Sequence, residues 1–140
     1  MDTPKLAVGE IYAGLSRDPD TGAWHHLVLL PATTDKGLTW GEAIEWAKSV
    51  GGDLPTRNES ALLYANVRDQ IDQDYWYWTS TPHASEPSWA RGQHFGDGTQ
   101  YYSLKDYRPR HRAVRRVPVA RPRDDFLSQA MNEGDGAYRP

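Results

Sequence analysis

The chain has 140 residues, of which 38% are hydrophobic and 25% charged, and its formal net charge is −3. This length and composition predict one compact domain with a single hydrophobic core. The sequence contains no cysteine, which excludes disulfide scaffolds, cysteine-ligated metal centres and thiol catalysis. The longest strongly apolar run, residues 27–30, is far shorter than the roughly 18 residues that span a bilayer, so we expect a soluble protein.

The chain begins with a predicted β-hairpin. Apolar residues alternate along residues 8–15, and a second strand is predicted over residues 24–30. The turn between them, residues 18–22, contains Pro and Gly at positions that favour a chain reversal. Asp18 and Asp20 resemble the opening of a calcium loop, but the later acidic ligands are missing, and we interpret this segment as an ordinary turn.

Two helices are predicted next. Thr39 has a Glu three residues later, which is the spacing of a capping box, and an amphipathic stripe follows it. The glycine pair at 51–52 ends this helix. Thr56 or Asn58 can cap the second helix, which is predicted to run to about Asp69.

Beyond the helices, four short strands are predicted, at residues 75–80, 88–95, 99–104 and 110–119. The second and third of these flank an Asp-Gly step, which is a strong hairpin signal. A hairpin, two helices and a series of antiparallel strands predict an α+β domain over residues 1–119, with two helices packed on twisted antiparallel strands.

Residues 120–140 are predicted to form an extended tail whose main apolar anchors are Phe126, Leu127 and Met131. These residues have the spacing of a short helical stripe that could dock on a partner in an assembly. Alternatively, the tail folds back on its own domain as a strap. Deletion of residues 121–140 separates the two, because loss of a strap lowers the melting temperature and loss of an assembly arm lowers the oligomer mass.

Half of the lysine and arginine residues lie within residues 105–123, which contain eight basic residues and one acidic residue. The predicted basic patch consists of Arg108, Arg110, Arg112 and Arg116, and the last three would share one face of a strand. Such a surface could contact nucleic acid, but the domain before it is net negative, which opposes nucleic-acid binding. The alternative is that these arginines pair with carboxylates of the same domain.

Patterns that carry catalysis are missing from the sequence. None of the five histidines stands in a metal-binding motif such as His-Glu-x-x-His. Gly-x-Ser-x-Gly does not occur, and the glycines at 96 and 98 belong to a predicted hairpin rather than to a phosphate-binding loop. We therefore expect no enzyme activity, no cofactor and no metal.

Five segments occur in an order that resembles a bacterial and phage domain family of unknown function: residues 51–59, 77–81, 89, 95–98 and 112–116. That family includes the C-terminal domain of collagen-like adhesins, and the segments at 9–14 and 29–31 look like its short phage form. The resemblance implies a C-type-lectin-like fold, shared with formylglycine-generating enzymes and with phage tropism determinants. Formylglycine-generating chemistry needs cysteines, which this chain lacks, and only Glu86-Pro87-Ser88 remains of a lectin calcium loop.

The resemblance implies a non-catalytic binding or assembly module that is phage or prophage encoded and serves in the virion or in host-surface recognition. Its expected partner is a protein or a glycan, within a homo-oligomer or a larger assembly, and not a membrane. The alternative is an accessory or inhibitory protein that contacts nucleic acid, or a nucleic-acid-binding complex, through residues 105–123. Residues 2–5 lack the features of a signal peptide, so we expect a location in the host cytoplasm or in the virion.

Lectin-like folds usually bind through their late strands and loops. We therefore expect ligand-binding residues at His83, Trp89, Gln93, His94, Tyr101 and Tyr107. From the positions that the family pattern gives them, we expect Trp78, Phe95 and Val114 to lie in the core between the sheet and the helices.

Overall fold

The computed structural model describes residues 3–119. Within them, two α-helices and six strands follow one another as β1 (Ile11–Arg17), β2 (Trp24–Leu29), α1 (Trp40–Ser49), α2 (Arg57–Val67), β3 (Trp76–Pro82), β4 (Trp89–His94), β5 (Gln100–Leu104) and β6 (Val114–Pro118). Neither helix is long and apolar enough to cross a membrane, for the part of the chain described. The predicted tail, with Phe126, Leu127 and Met131, lies outside the described residues.

The strands form two separate antiparallel sheets of three strands each, in the orders β1-β2-β6 and β3-β4-β5. Strand β6 pairs along β2, with Leu27 opposite Arg116 and Leu29 opposite Val114. The last strand of the domain therefore completes the sheet that the N-terminal hairpin begins. The predicted combination of two helices with antiparallel strands is confirmed, whereas the division into two sheets was not predicted.

Both helices begin with a capping box, which the sequence predicts for α1 only. The Thr39 side chain accepts a hydrogen bond from the Glu42 N–H, and the Glu42 side chain accepts one from the Thr39 N–H. Thr56 and Glu59 form the same reciprocal pair at the start of α2, which decides the N-cap in favour of Thr56 over Asn58.

The core consists of two clusters of buried side chains. One lies between the β1-β2-β6 sheet and α2 and includes Leu63, Phe95 and Val114. The other lies beneath α1 and includes Trp78 together with Ala43 and other small residues. The three predicted core residues are all buried, at 2% exposure or less, but Trp78 belongs to a different cluster from the other two.

The strand predicted over residues 110–119 begins only at Val114. Upstream of it, the backbone of Arg110 pairs with β3 instead: its carbonyl accepts from the Trp78 N–H at 3.1 Å, and its N–H donates to the Trp76 carbonyl at 3.2 Å. The prediction that Arg110, Arg112 and Arg116 share one strand face is therefore wrong, because the first two precede the strand.

Candidate functional site

One face of the β3-β4-β5 sheet carries a group of polar aromatic and cationic side chains. Trp89 lies opposite Leu104, and Arg91 lies opposite Tyr102, in the pairing of β4 with β5. Residues that lie opposite each other on paired strands point to the same face of the sheet, and so do residues two apart along one strand. The side chains of these two pairs are therefore neighbours on one face. We call them, together with His83, the outer patch.

Tyr102 is the centre of the outer patch. The His83 ring lies 4.2 Å from the Tyr102 ring, measured between centroids, and the Arg91 guanidinium carbon lies 4.4 Å from the same centroid. Arg91 also donates a hydrogen bond to the Tyr102 hydroxyl. Three side chains from three chain segments are thereby in direct contact with one another at Tyr102.

The loop that carries His83 is ordered by its own hydrogen bonds. His83 Nδ1 accepts from the backbone N–H groups of Ser85 at 3.1 Å and Glu86 at 3.0 Å, so the neutral ring carries its proton on Nε2. The His83 N–H donates to the Trp89 carbonyl at 3.0 Å. Next to this loop, Trp89 keeps 37% of its surface exposed.

Gln93 lies on the face of β4 that carries Trp89 and Arg91, but at the end of the strand where this face is buried. It is 2% exposed, donates to the Gly98 carbonyl at 3.1 Å and accepts from Gln100 Nε2 at 2.9 Å. All of these contacts are internal, so this predicted ligand-binding residue serves to fix the turn between β4 and β5.

The opposite face of the sheet carries His94 and Tyr101. His94 Nδ1 accepts from the Gly96 N–H at 2.9 Å, and Tyr101, at 37% exposure, lies opposite Gly92. The Trp76 ring packs against Tyr101 with a centroid distance of 5.5 Å. The six predicted ligand-binding residues therefore do not form one surface, since His83 and Trp89 are on one face and His94 and Tyr101 on the other.

Tyr107, the last of the predicted ligand-binding residues, lies in the loop that follows β5. Its N–H donates to the Leu104 carbonyl at 3.0 Å, and it is 57% exposed. It belongs to neither strand face of the sheet.

Gly92 allows the Trp76 ring to lie directly on β4. A Cβ atom at this position would stand 2.4 Å from Trp76 Cε3. We expect Gly92→Ala to lower the free energy of unfolding by roughly 1 to 3 kcal/mol, because the ring has to move. Gly41→Ala, in α1 with open space around its Cβ, is the control and should stabilise the protein by up to about 1 kcal/mol. Equal melting temperatures for the two variants would contradict this packing.

Two arginines of the predicted basic patch pair with carboxylates of the same domain. Arg108 Nη1 lies 3.0 Å from Glu42 Oε1 in an exposed ion pair. Arg116 lies at 2.6 Å from Glu59 and at 3.0 Å from Asp53. These pairings agree with the alternative in which the basic stretch neutralises the acidic part of the domain.

The other two arginines of that patch make different contacts. The Arg110 guanidinium lies over the Tyr75 ring at 3.9 Å from its centroid. Arg112 Nη2 donates to the Leu30 carbonyl at 2.9 Å. Within residues 3–119, neither forms an ion pair with a carboxylate.

Glu59 is the most buried charged side chain described, at 1% exposure. It accepts hydrogen bonds from Arg116 Nε at 2.6 Å, from His25 Nε2 at 2.6 Å and from the Thr56 N–H at 2.8 Å. Burial by itself would raise the pKa of Glu59, but the bonds from Arg116 and Thr56 outweigh it and hold the pKa below its usual 4.5. This cluster joins β2, α2 and β6.

The outer patch can form stacking contacts and directional hydrogen bonds, the two interactions that sugars and protein surfaces offer to aromatic and arginine side chains. Among residues 3–119, no three histidine or acidic side chains cluster in a way that could hold a metal ion. No protein-family model matches the chain, and no curated protein shows significant similarity to it. The assignment of a function therefore depends on the geometry of this surface.

Proposed function

We propose that the protein is a non-catalytic recognition module that binds a protein or a glycan through the outer patch. The observation that carries the proposal is the pre-formed stack of His83 and Arg91 on Tyr102 beside the exposed ring of Trp89. Trp, Tyr and Arg are the residues most enriched at energetic centres of interfaces. Because the stack is already ordered, binding immobilises little that was free before.

We further propose that the fold is C-type-lectin-like and that the protein is phage or prophage encoded, acting in the virion or in host-surface recognition. The support is that the segments resembling that family contact one another. Asp53 and Val114 exchange backbone hydrogen bonds of 2.9 and 2.8 Å, and the Ser80 N–H donates to the Pro55 carbonyl at 2.8 Å. Segments distant in sequence thus form one structural unit, as a shared fold requires.

The nucleic-acid alternative has less support. Arg108 and Arg116 already pair with carboxylates, which reduces the positive charge available to phosphate groups. No observation on the described residues favours it over recognition by the outer patch.

An array of bacterial surface glycans, envelope proteins and duplex DNA, probed with the labelled protein at 50 and 200 mM salt, tests the class of partner. We expect a glycan or protein signal that changes little with salt. Binding confined to DNA that weakens by a factor on the order of 1,000 over this range would favour the alternative, because phosphate contacts release counterions.

A further inference from the structure

A cavity separate from the outer patch lies where three connecting segments of the chain meet. Its volume is about 290 Å³, close to the lower end of the range for small-molecule sites, about 300 Å³. Its walls come from the segment after β2, from the segment leading into β3 and from residues 110–112. Connecting segments on a rigid scaffold are the usual place for binding residues.

Of the four arginines of the predicted basic patch, the two that form no ion pair within residues 3–119, Arg110 and Arg112, both line this cavity. Arg110 rests on Tyr75, and Arg112 donates from Nη2 to the Leu30 carbonyl at 2.9 Å and from Nη1 to the Gln70 carbonyl at 3.5 Å. Neither guanidinium is therefore neutralised by a carboxylate in direct contact. A cation that is partly withdrawn from water without an anion is unfavourable. Their convergence on one cavity favours a ligand that carries an anionic group.

Buried polar atoms without a hydrogen-bond partner also occur in the wall of this cavity. Within residues 3–119, four buried side-chain nitrogen or oxygen atoms have no hydrogen-bond partner, and two of them, Arg112 Nε and His111 Nδ1, belong to residues that line the cavity. His111 is 2% exposed, and its Nε2 lies 2.7 Å from Thr34 Oγ1, within hydrogen-bond distance. Buried polar atoms are rarely left unpaired, so the wall of this cavity has unusually many unsatisfied hydrogen-bonding groups.

Negative charge is also present at the cavity. Asp35 and Asp72 both line it, and in the described region neither forms an ion pair. Two cations and two anions give a lining without net charge, which does not favour a simple anion. A ligand that carries one charge of each sign at close range matches both sets of groups.

We propose that this cavity binds a free α-amino acid as its zwitterion. The guanidinium groups of Arg110 and Arg112 hold the carboxylate, for which the arginine fork is well suited. The carboxylates of Asp35 and Asp72 hold the ammonium group.

Isothermal titration calorimetry with the full chain and each of the twenty free amino acids tests the proposal. We expect at least one to bind with a Kd on the order of 1 mM or tighter. Two analogues of that amino acid should each bind at least about tenfold more weakly than the amino acid itself. One is the amine without the carboxylate group, and the other is the 2-hydroxy acid without the ammonium group. Absence of binding by all twenty, or equal binding of the 2-hydroxy acid, would overturn the proposal.

Variants locate the site. Arg110→Gln and Asp35→Asn should each weaken binding of that amino acid by about tenfold or more, a change worth about 1.4 kcal/mol. Arg108→Gln is the matched control, because Arg108 is a neighbouring arginine that does not line the cavity. Trp89→Ala should also leave this affinity unchanged, which keeps the test independent of the outer patch. Unchanged affinity in Arg110→Gln and Asp35→Asn would place the site elsewhere and refute the assignment.

Discussion

Trp78→Ala is expected to lower the free energy of unfolding by about 3 to 5 kcal/mol, the range for removal of a large buried aromatic side chain. The Trp78 side chain is fully buried in the cluster beneath α1, and the Trp76 ring packs edge-on against it at 5.4 Å. Its Nε1–H donates to the Leu38 carbonyl at 2.9 Å, a bond that the substitution also removes. Thermal unfolding should show a melting temperature lower by roughly 10 to 15 °C.

Trp24→Ala is the matched control, because Trp24 is 41% exposed at the start of β2. Its loss should cost about 1 kcal/mol or less, as is usual for residues at the surface. Similar melting temperatures for the two alanine variants would contradict the position of Trp78 in the core.

Arg116→Met is expected to cost about 3 to 5 kcal/mol at pH 7, because it leaves the Glu59 carboxylate buried without its cation. Arg108→Met breaks an ion pair in which both side chains are about half exposed, and it should cost at most about 1 kcal/mol. Adding Glu59→Gln to Arg116→Met should recover part of the loss, since no buried charge then remains. Urea unfolding measures both costs. Equal losses in the free energy of unfolding for Arg116→Met and Arg108→Met would contradict the greater importance of the buried ion pair.

The cost of Arg116→Met should also depend on pH. In the native protein the pKa of Glu59 lies below 4.5, so its contribution to stability is complete above about pH 4.5 and is lost as the pH falls through the folded-state value. Without Arg116, burial raises the pKa of Glu59, and protonation then relieves the penalty. The stability difference between the native protein and the variant should therefore be largest near neutral pH and shrink towards pH 3. A difference that grows on acidification would contradict the role of this pair.

The regular elements could be predicted because their signals are local. The capping residues Thr39 and Thr56 and the Asp-Gly hairpin step each act within a few residues of the chain. The pairing of β6 with β2 could not be predicted, because nothing local in either strand specifies a partner more than 80 residues away.

The candidate site was predicted only in part, for the same reason. Trp89 and His83 were identified, but Arg91 and Tyr102 were missed, although the hairpin register could have placed them opposite each other. Gln93 and Trp89 share a strand face, yet one is buried by a helix and the other is exposed. Strand alternation gives the face of a side chain, whereas the packing of α2 on one end of the sheet decides which part of that face is open.

Recognition of the partner through the outer patch can be tested with the affinities of two tryptophan variants. Trp89 and Trp24 have similar exposure, 37% and 41%, but only Trp89 belongs to the outer patch. For the partner found on the array, titration should give a Kd for Trp89→Ala that is about 30-fold or more above the native value, as for an interface hot spot of about 2 kcal/mol. Trp24→Ala should stay within about twofold, with both variants folded as judged by circular dichroism. Equal affinities for Trp89→Ala and the native protein, or a greater loss in Trp24→Ala, would contradict recognition through the outer patch.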